Sequence, residues 1–291
     1  MNIIFTGPSG RGWHRLQQAA ECLQKYAWTY GTGEDGKSPL ADEDEDGKSS
    51  PALIKGSLVH LSLAHHYARM RQRQIGEDEN LFVEPKEAVE LIAKLQNGEK
   101  FVDEVMLTYE KYVNHYDNDE ISFKVVGVER LFETQIRGKY LLTGRMDLVF
   151  EDHSGRIWVM DHKTTSKIQS SHKEVYAASG QLIGYQHLAR TAYGDRLAGL
   201  KLNLIEHGGR KFERLTLPRS PFFESQFEQT VVDIEENIQR LRDSGRPADE
   251  WPKAMNEMSC YGRYGACKFL DKCRWGMQSS KAGNWTWNDT P

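Results

Sequence analysis

The sequence has no long hydrophobic run. Its 291 residues have a mean hydropathy of −0.66, and no stretch approaches the roughly eighteen consecutive apolar residues that a membrane-spanning helix needs. The N-terminus also lacks the ordered basic region, apolar core and small-residue cleavage site of a secretory signal. We therefore expect a cytoplasmic protein without a membrane partner.

The chain also lacks an excess of positively charged side chains. The chain has 38 Lys and Arg against 42 Asp and Glu, giving a formal net charge of −4 and a pI near 6.2. This balance excludes a protein that binds nucleic acid through bulk charge alone. A local basic cleft or bound metal ions remain open. The length suits one well-cored domain, so we expect a single domain over 1–291.

One motif is present only in part. Ile3–Gly7 predicts a short strand that leads into Gly7–Gly12, where the glycines are spaced as at the start of a phosphate-binding loop. The Lys and the Ser or Thr of such a loop are replaced by Trp13 and His14, so its main phosphate charge is absent. We interpret this segment as a strand and turn before a helix, not as a nucleotide site.

The rest of the chain divides into three regions. Region 1–120 is mainly helical and includes an acidic stretch, 31–50, that predicts a solvated, mobile loop. Region 121–244 reads as an α/β core, and 245–291 is a tail that carries three cysteines. The fold class is therefore α/β, with a mixed central sheet flanked by helices.

The pattern also predicts individual elements. Apolar residues at three- and four-residue steps predict helices over 51–74, 85–95, 101–116, 171–193 and 223–241. Segments rich in Val, Ile, Leu, Phe and Trp predict an antiparallel meander of strands over 123–135, 139–150 and 155–163.

The most informative residues are two aspartates and a lysine. If 152–155 is a hairpin turn, position 147 pairs with about 160, so Asp147 and Asp161 lie nearly opposite, on strands about 5 Å apart. Lys163 shares a face with Asp161 because the two are separated by two residues. Asp161 ends an apolar run that predicts a buried strand, where an unpartnered carboxylate is costly.

A cation between these carboxylates would relieve their repulsion. Oxygen ligands suit Mg²⁺ or Mn²⁺, so this pattern favours a divalent metal site over an ordinary surface hairpin with unrelated charges.

These residues resemble a known family. Gly-x-x-Asp followed by Asp-x-Lys is similar to the core of the PD-(D/E)xK nuclease superfamily, and the flanking motifs resemble those of its RecB-like exonuclease branch. The motifs, in the expected order, are Gly56-Ser-Leu-Val-His60, Gly144-x-x-Asp147, Asp161-x-Lys163 and Gln181-x-x-x-Tyr185. The resemblance runs from about 9 to 273 and implies a restriction-endonuclease-like core.

The resemblance also implies roles. Asp147 and Asp161 would bind the divalent metal, with His60 and the backbone carbonyl of His162 as further ligands. Lys163 would orient or deprotonate the attacking water and stabilise charge on the phosphate. Phosphodiester hydrolysis needs an activated water and neutralisation of a developing dianion, and a metal with a lysine supplies both.

Three further residues are candidate contributors to this site. Gln181 and Tyr185 lie one helical turn apart on one face; the amide could bond a phosphate or ligand oxygen, and the ring could pack either near nucleic acid or in an ordinary helix–sheet contact. Glu129 reads by default as a solvated strand glutamate.

The four cysteines suggest a second metal site. Cys260, Cys267 and Cys273 fall within 14 residues, and Cys22 is the fourth. This arrangement resembles the iron–sulfur proteins among AddB-type and CRISPR-associated RecB-like nucleases, which implies a structural [4Fe-4S] cluster joining the tail to Cys22. The gap between Cys260 and Cys267 is longer than usual for the family. Zinc and free thiols remain alternatives.

The predicted function is a metal-dependent DNA exonuclease that acts on single-stranded DNA or free ends. Helicase motifs are absent, so an unwinding, recombination or CRISPR partner would be a separate protein. The alternative is a non-catalytic DNA-binding or assembly subunit that keeps the fold. Basic residues that could contact the DNA backbone, each also explicable as a surface charge, are Arg69, Arg71, Arg73, Lys167 and Lys173.

Overall fold

A five-stranded mixed sheet forms the centre of the fold. The computed structural model describes residues 2–32, 50–218, 221–262 and 265–276. The strands are Lys124–Ile136 (β1), Tyr140–Glu151 (β2), Ile157–Thr165 (β3), Leu197–Glu206 (β4) and Phe212–Leu217 (β5). Their order is β1-β2-β3-β4-β5; β3 and β4 are parallel, and the other neighbours are antiparallel. The predicted meander is confirmed.

Helices make up much of the rest of the described residues. In chain order they are Trp13–Glu21 (α1), Leu23–Tyr30 (α2), Pro51–Ile75 (α3), Pro85–Leu95 (α4), Val102–His115 (α5), Asp119–Ser122 (α6), His172–Ala177 (α7), Gly180–Tyr193 (α8), Pro221–Asp243 (α9), Glu257–Cys260 (α10) and Leu270–Trp275 (α11). Two further short strands, Tyr261–Gly262 (β6) and Gly265–Ala266 (β7), pair separately. Within the described ranges, no helix is long and apolar enough to cross a membrane.

Local signals explain the bounds of α3. Ser50 caps its N-terminus by accepting a hydrogen bond from the backbone of Leu53, and Pro51 fits the first turn because its missing N–H has no helical partner there. Gly76 ends the helix in the left-handed conformation, with φ at 75°. The helix therefore matches the prediction closely.

The single helix predicted over 171–193 is wrong. It is two helices, α7 and α8, separated at Ala178 and Ser179. α8 begins at Gly180, which lies against the indole of Trp13; a Cβ there would come within 2.2 Å of the ring. Glycine is a poor helix former, and this close contact explains why glycine stands at the start of the second helix.

The strand predicted over Ile3–Gly7 is also wrong. Among the described residues, a single β-bridge lies near it and joins Asn2 to Phe82. The backbone N–H of Ile4 donates instead to Nε2 of His65, at 3.1 Å. Tertiary side-chain contacts thus satisfy backbone groups that a ladder would otherwise pair.

The described residues fall into two compact units. The first, from 1–14 and 47–232, contains the sheet. Its core packs α3, α4 and α5 against the strands, and includes Leu58, Leu63 and Tyr67 together with Leu148 and Met160, all 3% exposed or less. α8 packs against β1 to β4.

The second unit comes from 15–46 and 233–291. Tyr26 stacks on Trp251 with ring centroids 6.2 Å apart, and a buried ion pair joins Arg15 to Glu235. The acidic loop predicted over 31–50 lies almost wholly outside the described residues, so its mobility stays a prediction.

Candidate active site and metal centre

The two aspartates meet where β2 and β3 separate. The ladder between these strands ends at the pair Leu148 and Met160. One residue further, the backbone N–H of His162 donates to Oδ2 of Asp147 at 2.7 Å, in place of a strand-to-strand bond. Asp147 and Asp161 are therefore opposite each other, within the one-residue shift that the sequence predicts.

Lys163 lies beside them. Its Nζ is 2.8 Å from Oδ2 of Asp161 and donates to Oδ1 at 3.0 Å. Asp161 is only 2% exposed, so the ammonium neutralises a carboxylate that water cannot reach. A buried carboxylate of this kind requires such a partner.

His60 reaches the same place from α3. Its Nδ1 is 3.5 Å from Oδ2 of Asp147. One turn earlier on the helix, Gly56 faces β3, and a Cβ there would lie 3.0 Å from Oγ1 of Thr164. The glycine thus lets the helix approach the strand closely, which explains the spacing between Gly56 and His60 in the motif.

Glu129 completes the group, although the sequence reading placed it in solvent. That reading is wrong, because Glu129 is only 8% exposed. It lies across from Asp147, between the pairs Val128 with Leu148 and Arg130 with Met146, and its backbone has a left-handed φ of 46°. The two-residue period of a strand, counted from the apolar Val125, puts Glu129 on the same face as Val125, and this signal could have found it.

These side chains form a group of ligands suited to a hard cation. Ligand atoms of His60, Glu129 and Asp147 all lie within 4.8 Å of one another. Two carboxylates and an imidazole suit a divalent metal. The chemistry of this donor set therefore fits the Mg²⁺ or Mn²⁺ that the sequence predicts.

The electrostatics of the carboxylates support that fit. Burial raises the pKa of Asp147 to about 6, although the Lys163 ammonium and the His162 N–H act to lower it. Burial and the neighbouring Asp147 raise the pKa of Glu129 to about 9. Burial also raises the pKa of Asp161. Burial is the main cause of all three shifts, and a cation among the carboxylates would favour their ionised forms.

The pKa values of the two basic side chains, His60 and Lys163, shift in opposite directions. Burial, followed by the nearby Lys163 ammonium, lowers the pKa of His60 to about 4. Its imidazole is therefore neutral at neutral pH, the form that binds metal. Burial acts to lower the pKa of Lys163, but the carboxylates of Asp161 and Asp147 outweigh it and the pKa is raised.

Gln181 and Tyr185 border this group on α8. Nε2 of Gln181 donates to the Tyr185 hydroxyl at 3.0 Å. Burial and the carboxylates of Asp161 and Asp147 raise the pKa of Tyr185 well above its usual value, so the phenol stays neutral. Gly144 lies under the ring, where a Cβ would come within 3.1 Å of it.

The sequence matches the model of a known protein family. A family model of the PD-(D/E)XK nuclease superfamily matches residues 13–274. The chain belongs to this superfamily. Its five-stranded mixed sheet flanked by helices is the restriction-endonuclease-like core that the sequence predicts.

Two solved structures are similar to this nuclease over part or most of the chain. "SSO0001" is 16% identical, with 51% of this chain and 70% of that chain covered and a TM-score of 0.30. A "putative exonuclease" from Eubacterium rectale is 14% identical, with 93% of each chain covered and a TM-score of 0.41. Neither similarity is close enough to support a functional argument. No curated protein matches the sequence significantly.

A buried polar network lies behind the centre of the nuclease. Nδ1 of His162 is 2.7 Å from Nδ2 of Asn203, which also donates to the Tyr112 hydroxyl at 2.8 Å. Arg214 donates to that hydroxyl and to Asp119. The network restrains the His162 side chain, and therefore the backbone between Asp161 and Lys163. No short-range sequence pattern pointed to Asn203.

All four cysteines are in the second unit as free thiols. β6 and β7 form a hairpin that closes the long gap, so the backbone N–H of Cys267 donates to the carbonyl of Cys260 at 2.7 Å. Cys22 caps the N-terminus of α2. Burial raises the pKa of the Cys273 thiol, and the thiols of Cys22, Cys260 and Cys267 raise it further.

Proposed function

We propose that this chain is a divalent-metal-dependent deoxyribonuclease, and that it acts as an exonuclease on single-stranded DNA or free ends. The observation that carries the proposal is the meeting of Asp147, Asp161 and Lys163 with His60 and Glu129 where two strands separate. Membership of the nuclease superfamily supports the reaction class, and the order of the RecB-like motifs supports exonuclease action.

The metal ligands would be His60, Glu129 and Asp147, joined by Asp161 and the backbone carbonyl of His162. When bound, Mg²⁺ or Mn²⁺ would make water more acidic and neutralise charge on the phosphate. The raised pKa values of Asp147 and Glu129, about 6 and about 9, support this assignment because both carboxylates would gain from a nearby cation.

Lys163 would act as a cation. Its raised pKa keeps the ammonium protonated at neutral pH, so it would hold the attacking water in place and stabilise negative charge developing on the phosphate. The neutral Tyr185 hydroxyl, held by Gln181, would donate a hydrogen bond to a phosphate oxygen.

The four cysteines would hold a [4Fe-4S] cluster with a structural role. Cys22 lies in the same unit as Cys260, Cys267 and Cys273, which supports one site for all four thiolates. Zinc held by the same four residues is the alternative.

Cleavage of labelled linear DNA with Mg²⁺ or Mn²⁺ tests the nuclease proposal. We expect wild type to degrade it, and Asp161→Asn and Lys163→Ala to lose at least about 10²-fold in rate, because each removes a charge from the centre. Glu133→Gln changes an exposed carboxylate of β1 outside the centre and should leave the rate unchanged. Closed circular single strands should survive if the enzyme needs an end.

Two results would contradict this proposal. Cleavage that persists in both variants would place the activity elsewhere. Wild-type protein that binds DNA and divalent metal but leaves linear DNA intact would favour a non-catalytic DNA-binding or assembly subunit.

A further inference from the structure

A groove of about 420 Å³ lies beside the candidate metal centre. Glu129 belongs to both, because it lines the groove and also contributes to the group of possible metal ligands. The other side chains that matter here are Phe5, Arg71, Phe82, Arg130 and Arg145. A ligand in this groove would thus lie next to the carboxylates.

The groove concentrates positive charge in a protein whose net charge is negative. Arg145 donates to the backbone carbonyl of Glu129 at 3.1 Å, and Arg130 donates to the Tyr193 hydroxyl at 3.3 Å. Arg71 has no hydrogen bond or ion pair with any residue that the structure describes. Within the described residues, the guanidiniums of Arg71, Arg130 and Arg145 form no ion pair with a carboxylate.

Two neighbouring arginines show the contrast. Arg69 pairs with Glu79 and Glu84, and Arg73 pairs with Glu79 and Glu120. These acidic partners neutralise the arginines on either side of Arg71 in α3. Arg71, which points into the groove, keeps its charge available for a ligand.

The groove also presents an exposed aromatic ring. Phe5 is 67% exposed, and the guanidinium of Arg145 lies 5.0 Å from its centroid. Its segment is held in place, because Ile4 donates to His65 and Asn2 bridges to Phe82. A fixed, solvent-facing ring beside guanidiniums is suited to stacking with a flat ligand.

We propose that this groove binds a nucleotide of single-stranded DNA next to the cleavage site, with its base stacked on Phe5 and its phosphates bound by Arg71 and Arg145. The inference rests on the proposed nuclease function and names its substrate as unpaired DNA. Stacking on a side chain requires a base free of its partner strand. The volume is within the range of small-ligand pockets.

Binding without cleavage tests the groove. The probe is a fluorescein-labelled oligothymidine of about twelve nucleotides, measured by anisotropy in EDTA. We expect Phe5→Ala to weaken binding about tenfold and Phe5→Trp to restore it. Arg71→Gln should weaken binding and reduce the slope of log affinity against log salt by about 0.7, the loss of one phosphate contact on a single strand.

Matched controls lie outside the groove. Phe222→Ala removes a ring that is 72% exposed, and Arg137→Gln removes an exposed guanidinium in the β1–β2 turn; both should bind as wild type. Variants Phe5→Ala and Arg71→Gln that bind like these controls would overturn the proposal. So would equal losses on a blunt duplex probe, because the groove would then not select unpaired bases.

The groove and the nuclease proposal can fail separately. If wild type cleaves single strands but the groove variants keep full affinity in EDTA, the groove assignment is wrong and the nuclease stands. If wild type never cleaves but Phe5→Ala and Arg71→Gln bind weakly, the groove stands as a single-strand site and the nuclease proposal is wrong.

Discussion

Among single residues, Glu129 shows how burial changes the chemistry of an ordinary side chain. Its carboxyl is 8% exposed and faces Asp147 across the β1–β2 pair. Burial and that neighbour raise its pKa to about 9, whereas an unfolded chain would release the proton near 4.3. Folding without metal therefore favours the protonated form, and stability falls as pH rises between these two values.

This residue yields a prediction for metal-free protein. In EDTA, the melting temperature of wild type should fall between about pH 6 and about pH 8.5, and that of Glu129→Gln should fall less, because the amide has no proton to lose. Added Mn²⁺ should raise the melting temperature of wild type more than that of the variant, since ligand binding stabilises the folded state. Thermal melts across pH, with and without Mn²⁺, measure both effects.

Glu133→Gln serves as the control, because Glu133 is exposed on the same strand; it should behave as wild type. If the melting curves of Glu129→Gln and wild type shift in parallel with pH and gain equally from Mn²⁺, Glu129 is not a metal ligand.

Among the elements, α8 depends on a strand residue for its distance from the sheet. A Cβ on Gly144 of β2 would lie 2.5 Å from Leu188 and 3.1 Å from the Tyr185 ring, both on α8. The Leu188 side chain is 2% exposed and has little room to move. The glycine of the Gly-x-x-Asp motif thus sets how closely the helix that carries Tyr185 approaches Asp147.

Gly144→Ala should therefore harm both stability and the site. We expect a loss of about 1–3 kcal/mol in the free energy of unfolding, measured with urea, because packed cores resist added methyl groups. Activity should also fall as Tyr185 is displaced. Gly10→Ala adds a methyl group where nothing lies within 4 Å and should change neither quantity. If the stability of Gly144→Ala equals that of wild type, α8 can move away from β2 without a cost in the free energy of unfolding.

At the scale of the whole molecule, the four cysteines come from distant parts of the sequence but belong to one unit. Cys22 lies near the N-terminus and the other three follow α9 in the sequence. The thiols of Cys22, Cys260 and Cys267 nevertheless all help to raise the pKa of Cys273. Ligation of a metal cluster by all four would close a very long loop, which restricts the unfolded chain and so favours folding.

Protein purified without oxygen tests the cluster. We expect brown protein with broad absorbance at about 400 nm and about four iron and four sulfide per chain. Cys22→Ser should lose iron and melt at a lower temperature, whereas Asp161→Asn, altered only at the other centre, should keep the full absorbance. Colourless wild-type protein that contains one zinc ion would contradict the cluster.

The sequence alone was sufficient for the three antiparallel strands of the meander, for the helices over 51–74, 85–95 and 101–116, and for the first part of the site. A short turn at 152–155 and the two-residue period of strands determine the relation of Asp147, Asp161 and Lys163, because register follows from local geometry. The central strands were predicted for the same reason. The errors at Ile3–Gly7 and at the break between α7 and α8 arose where packing against distant residues overrides local propensity.

Only the tertiary structure decided which other groups reach that centre. The packing of α3 on β3 brings His60 to the centre. The pairing of β1 with β2 places Glu129 across from Asp147, and Glu129 itself has a left-handed backbone conformation. Phe5 and Arg71 are 66 positions apart in the sequence and line the same groove, with the N-terminal segment held by the hydrogen bond from Ile4 to His65 and by the bridge between Asn2 and Phe82. Contacts between residues far apart in the chain depend on the packing of whole elements, so a short stretch of sequence does not predict them.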